Sequence, residues 1–227
     1  MSSLTQSLQR LTRRYSSTSR TRGRAIKKAA NAFELVYFGD VHHADDHDPV
    51  LGFTASITHI DQHFSVGNFE GYNLRLVDRF DIVNTGAVKA HAQNWCVVEV
   101  QLQEHTDLPH TCLVPTGNTS QEYHRLFTST SRLQPLNTTL FRHHSTELHG
   151  RFQILAPTSR TQDVESILTS PLIAGIASKF WPHGIELKGN TLFVYITDHR
   201  LVSTVVLPAI SSALWLAHAL DAAADTK

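Results

Sequence analysis

The sequence predicts an α+β fold, with an antiparallel, sheet-rich core followed by a carboxyl-terminal half of strand, helices, hairpin and helix. Three observations lead there. Residues 72–103 hold two runs in which apolar and polar residues alternate, the period of a strand with one covered face. "GIELKGNTLFVYI" at 184–196 places two alternating runs on either side of Gly189-Asn190, a pair suited to a two-residue hairpin. Outside that hairpin, the apolar residues after 160 recur at helical spacing. At 227 residues, 41% hydrophobic and 18% charged, the chain can bury a sizeable core.

The first 30 residues form an arm distinct in charge. Arg10, Arg13, Arg14, Arg20, Arg22, Arg24, Lys27 and Lys28 carry +8 there with no acid, while the remaining twelve Lys/Arg and twenty Asp/Glu leave −8 on the body. Leu4, Leu8, Leu11 and Tyr15 stack at spacings of four, three and four, which predicts a short cationic amphipathic helix. Ser16 to Gly23 is expected to be a frayed linker, and the core is expected to begin near Phe33.

From 31 to 115 the expectation is a mainly β sub-domain. Its strands are predicted over Glu34 to Gly39, Phe53 to His59, Phe64 to Phe69, Tyr72 to Val83, Trp95 to Gln103 and Thr111 to Val114. In "YNLRLV" Leu74 and Leu76 share one face, and in "CVVEVQLQ" Val98, Val100 and Leu102 point inward while Glu99, Gln101 and Gln103 point outward. Residues 116–149, rich in Thr, Ser, Asn and His, read as an irregular joint with one short helical candidate, Gln121 to Phe127.

Residues 150–227 read as an α+β sub-domain. A strand over Phe152 to Ala156 precedes a helix whose first turn holds Gln162, Asp163 and Glu165, the acid placement a helix amino terminus favours. A second helix starts after Ser170, since proline is tolerated in a first turn. The hairpin register pairs Leu187 with Leu192 and Ile185 with Val194. A closing helix from about Pro208 to about Ala222 turns Ile210, Leu214, Ala217 and Leu220 to the sheet. Its Pro208, His218 and Asp221 favour a packed core helix over a membrane span, and no signal peptide precedes it. Cys96 and Cys112 form no CxxC, so free thiols in a reducing compartment are the simpler assumption and a single cross-strand disulfide the alternative.

Gly67, Phe69 and Gly71, the turn Leu108-Pro109-His110, and Ile167, Leu168, Thr169 and Pro171 make up a pattern of strand pair, long strand, helix and hairpin. In it the chain resembles uncharacterised bacterial proteins, often membrane-associated, over roughly 67–114 and 150–197. The resemblance implies a bacterial, sheet-containing domain and supplies no catalytic residue.

Two features could carry function. The stretch 41–64 holds five histidines and four aspartates. In a strand His59, Asp61 and His63 would project from one face about 7 Å apart, and His43 and His47, flanked by Asp45, Asp46 and Asp48, could complete a mixed N/O shell for Zn, Mn or non-haem Fe. Asp45 or Asp46 would then be the general base of a metal-dependent hydrolase. The alternative is a solvated edge strand with no cofactor. A second histidine group, His143, His144 and His149 beside Glu147, lies in the joint.

The arm is the other feature. It could bind anionic lipid or nucleic-acid backbone without sequence preference, act as a transit peptide, or remain a solvated tail. The chain contains no G-x-S-x-G, H-E-x-x-H or P-loop pattern. The expectation is therefore a non-enzymatic binding or scaffold domain, cytoplasmic or peripheral on an inner membrane face, tethered to an anionic surface by the arm.

Overall fold

The structure is a computed structural model that describes residues 20–40, 50, 52, 59–83, 91–104, 107–117, 123, 127, 133–197 and 201–224. Its centre is one nine-stranded sheet in the order β1-β2-β3-β4-β9-β8-β5-β7-β6, in which every pairing is antiparallel. The strands are β1 (Val36–Gly39), β2 (Ile60–Phe69), β3 (Tyr72–Val83), β4 (His91–Gln101), β5 (Leu108–Pro115), β6 (Gln134–Pro135), β7 (Phe152–Ala156), β8 (Gly184–Gly189) and β9 (Thr191–Ile196). The α+β class is thus observed, with β3 and β7 at their expected bounds. The segments 31–115 and 150–227 are not separate in space, because the β8–β9 hairpin lies between β4 and β5.

Two tight turns set the register. Phe69 pairs with Tyr72 across Glu70 and Gly71, both at positive φ (51° and 86°), as a type I′ hairpin requires. Lys188 pairs with Thr191, and the expected pairs Leu187 with Leu192 and Ile185 with Val194 are present. Gly189 has φ 61°, and Asn190 is not among the positive-φ residues, so this turn uses glycine at its first central position, the type II′ pattern.

The helices are α1 (20–32), α2 (Thr146–Arg151), α3 (Thr161–Ile167), α4 (Ser170–Lys179) and α5 (Ser203–Ala224). Helix α2, inside the expected joint, begins where the Ser145 side chain accepts from the Leu148 N–H, an N-cap. Helix α5 starts five residues before its expected start and carries Pro208 inside it. It is long and apolar enough to cross a membrane, yet Ile210, Leu214, Ala217 and Leu220 are buried in the core, as expected of a packed helix.

One covered sheet face was the expectation, and both are buried at the centre. Leu74, Leu76, Cys96, Val98 and Val100 share the first apolar cluster with α1, α4 and α5. Val77, Trp95, Val97, Cys112 and Tyr195 form the second with Val50, Tyr123 and Phe127. Strands β4, β9 and β5 carry apolar residues on both sides, so the alternation read in "CVVEVQLQ" describes only the end of β4.

Helix α1 corrects the expected arm boundary at residue 30. Ala25, Ile26, Ala29, Ala30 and Phe33 are buried in the first cluster; their spacing of one, three, one and three is a helical stripe. Residues 20–30, expected as linker and tail, therefore belong to the body, while the stripe of Leu4, Leu8, Leu11 and Tyr15 lies outside the described residues. Gly23 lets α1 approach β2, since a Cβ there would lie 2.5 Å from the His63 ring. Gly23→Ala gains up to about 1 kcal/mol of helix propensity but collides with that ring, at roughly 1–3 kcal/mol. The net expectation is a lower thermal midpoint by calorimetry; a raised midpoint would show that α1 is not seated on His63.

Cys96 and Cys112 are free and buried, on opposite faces of the sheet with β9 and β8 between their strands. Burial pushes both thiols above their ordinary pKa, reinforced by Asp78 beside Cys96 and by Glu186 beside Cys112. The thiolate is the reactive form. Native protein should therefore resist iodoacetamide at pH 8 and label at both cysteines in urea, read by mass spectrometry; rapid native labelling would contradict this packing.

Candidate functional site

Strand geometry sends consecutive side chains to opposite faces, and β3 uses this at Asp78 and Arg79. Asp78 points toward α1, where Arg22 Nε lies 2.8 Å and Nη2 2.6 Å from its two carboxylate oxygens. Arg22 and Asp78 are both buried. Arg79 points the other way and grips Asp61 at 2.7 Å to each oxygen, while also donating to the Val50 and Gly52 carbonyls. Arg22 thus pins α1 to the sheet, and it is not part of an anion-binding surface as its sequence position suggested.

The other arm cations that the structure describes do face outward. Arg20, Arg24, Lys27 and Lys28 are exposed on the side of α1 opposite Ala25, Ile26, Ala29 and Ala30. Lys27 Nζ lies 5.7 Å from the centre of the Tyr37 ring, a cation–π distance that joins the cationic face to edge strand β1. On the far side of β1, Val36 and Phe38 are 58% and 62% exposed, with Phe38 stacked on Phe64. An exposed apolar edge invites association; here Lys27 adjoins it, and the exposed Glu34 and Asp40 flank the strand. Arg10, Arg13 and Arg14 lie outside the described residues.

The expected His59, Asp61 and His63 face does not form. Asp61 pairs across β2–β3 with Arg79, and both its oxygens are taken by that guanidinium. His63 sits at a bulge between Gln62 and Ser65 with φ 56°, which turns its ring to the α1 side, within hydrogen-bonding distance of Tyr37 (Nδ1 to hydroxyl 2.7 Å). His59 Nε2 remains 3.9 Å from Asp61. The bulge adds one residue and reverses the alternation that the sequence pattern assumed. Among the described residues no group of three or more His, Cys, Asp or Glu is placed to hold a metal ion. His43, His47, Asp45, Asp46 and Asp48 lie outside the described residues.

Two further buried carboxylates were missed in the sequence. Asp221, near the end of α5, accepts from the Tyr72 hydroxyl (2.9 Å) and from the N–H groups of Gln103 and Glu104. Burial, then that hydrogen bond and the carboxylate charges of Asp221 and Glu104, raise the Tyr72 pKa. Glu186 accepts from the Tyr195 hydroxyl and lies 2.8 Å from His110 Nε2. Nothing in local spacing marks Asp221, whose partner Tyr72 is 149 residues away, and Glu186 meets Tyr195 across the hairpin but His110 only from 76 residues away.

No family model matches the chain, and no curated protein matches it. Among solved structures, the crystal structure of the mycobacterial trehalose monomycolate transport factor A, TtfA, is similar with a TM-score of 0.55 at 8% identity, covering 88% of this chain and 95% of that one. At that identity the likeness is one of fold.

Breaking a buried pair by removing one partner costs roughly 3–5 kcal/mol, because the other charge is left uncompensated. Asp78→Ala should lose about that much stability in urea unfolding, and Asp78→Ala/Arg22→Met should recover a large part of it. Additive losses in this double-mutant cycle would mean that the pair does not hold α1.

Proposed function

We propose that this protein is a non-enzymatic binding or scaffold domain that docks on an anionic membrane surface through the outer face of α1 and the adjoining edge β1. The observation that carries the reading is the exposure of Arg20, Arg24, Lys27 and Lys28 along a helix whose opposite side is fixed in the core. A cationic face held rigid loses less conformational entropy on binding than a loose tail with the same charges. At about 1 kcal/mol per basic side chain near an anionic leaflet, the four contribute about 4 kcal/mol. Arg10, Arg13 and Arg14 would add to it, while Val36 and Phe38 supply apolar area at the same edge.

The buried free thiols of Cys96 and Cys112 suit the reducing, cytoplasmic side of a membrane. A fold shared with a protein named as a transport factor fits a role in which surfaces, not a reacting group, do the work. Nucleic acid is the rival anionic partner through the same cations.

Because α1 belongs to the core, deleting residues 1–30 would test folding rather than docking. The informative variant is the full chain with Arg20, Arg24, Lys27 and Lys28 all changed to Gln. In vesicle flotation the parent should bind phosphatidylserine-containing vesicles, not phosphatidylcholine alone, and the variant should bind at least about tenfold more weakly. Equal flotation of the two proteins, or salt-sensitive DNA binding with no flotation, would remove the membrane reading.

A further inference from the structure

A cavity of about 450 Å³ lies away from α1, where the end of β5 and the start of β7 meet the turn after β6. Its size falls within the range of small-molecule sites. Thr116, Asn137, Thr138, Thr139, His149 and Gln153 line it, and none of the described lining residues is Asp, Glu, Lys or Arg. Leu136, half-buried, supplies an apolar side, with Phe152 packed into the core behind it.

The polar groups are held in place by their own bonds. Asn137 Oδ1 accepts from the Thr139 N–H and hydroxyl, which fixes the turn. The Thr138 hydroxyl lies 2.9 Å from His149 Nδ1, and the Thr116 hydroxyl donates to the Gly150 carbonyl. Gln153 Oε1, by contrast, is buried with no hydrogen-bond partner among the described residues, an arrangement that costs stability unless a donor satisfies it.

We propose that this cavity binds an uncharged, polyhydroxylated ligand, in chemical class a neutral mono- or disaccharide. Among the described lining residues there is no Asp, Glu, Lys or Arg to pair with an ionised ligand, which would lose its hydration without a paired charge in return. The Thr116 and Thr139 hydroxyls, whose protons go to Gly150 O and Asn137 Oδ1, can still accept, and the exposed Asn137 amide N–H can donate, which matches a ligand whose own hydroxyls do both. Leu136 offers apolar area to the C–H face of a sugar ring. The site shares no residue with the α1 surface, so the two proposals stand independently.

The test is saturation-transfer NMR on the full-length protein, with maltose and glucose as probes beside glucuronic acid and glucosamine. Transfer to the neutral sugars should be strong and to the charged ones weak. Thr139→Tyr, which fills the cavity from an exposed rim position, should weaken maltose binding by roughly tenfold, the scale of one lost hydrogen bond. No transfer to either neutral sugar at millimolar concentration, unchanged binding by Thr139→Tyr, or tighter binding of glucuronic acid than of maltose would each overturn the proposal.

Discussion

Asp78 and Arg79 are adjacent in β3, and the pleat sends one to each side of the sheet. Each finds an opposite charge that is buried with it, Arg22 from α1 on one side and Asp61 from β2 on the other. Two charges taken out of water cost several kcal/mol each, and only close, multiply bonded partners offset that. A one-residue slip of β3 would exchange the two faces and leave four charges buried without partners. The register of β3 and the seat of α1 are therefore fixed together, with the bulge at His63 accommodating both.

The same logic recurs at the other end of the molecule. Asp221 ties α5 to the turn after β4 through two backbone N–H groups and the Tyr72 hydroxyl, so helix and strand ends cannot shift independently. Glu186, between Tyr195 and His110, joins β8 to β9 and β5. Buried carboxylates on β2, β3, β8 and α5 thus sit where separate parts of the chain meet. They serve specificity of arrangement more than net stability, since well-packed apolar replacements of such groups are often no less stable.

With these ionic groups turned inward, α1 keeps four exposed cations on one side, while exposed charges of both signs, among them Glu70, Asp107, Glu147, Asp163 and Lys188, lie elsewhere on the described body. A chain of zero formal charge presents one face with four cations beside an edge strand. The neutral lining of the cavity near His149 is a different chemistry on a different part of the sheet.

Sequence alone determined β3, β7, the β8–β9 hairpin and the helical end, because their signals are local: alternation along Tyr72–Val83, Gly189 at a two-residue turn, and Asp163 in the first turn of α3. It also determined the charge of the arm. The tertiary structure decided which of those charges reach solvent. Arg22 differs from Arg20 and Arg24 only in the angle at which it leaves α1, and that angle has meaning only once Ala25, Ile26 and Ala29 face the sheet. It decided likewise that His59, Asp61 and His63 do not share a face, since one inserted residue at the bulge reverses a period-two pattern that the sequence writes without interruption. Local periodicity fixes which way a side chain points relative to its neighbours, and only long-range pairing fixes what it points at.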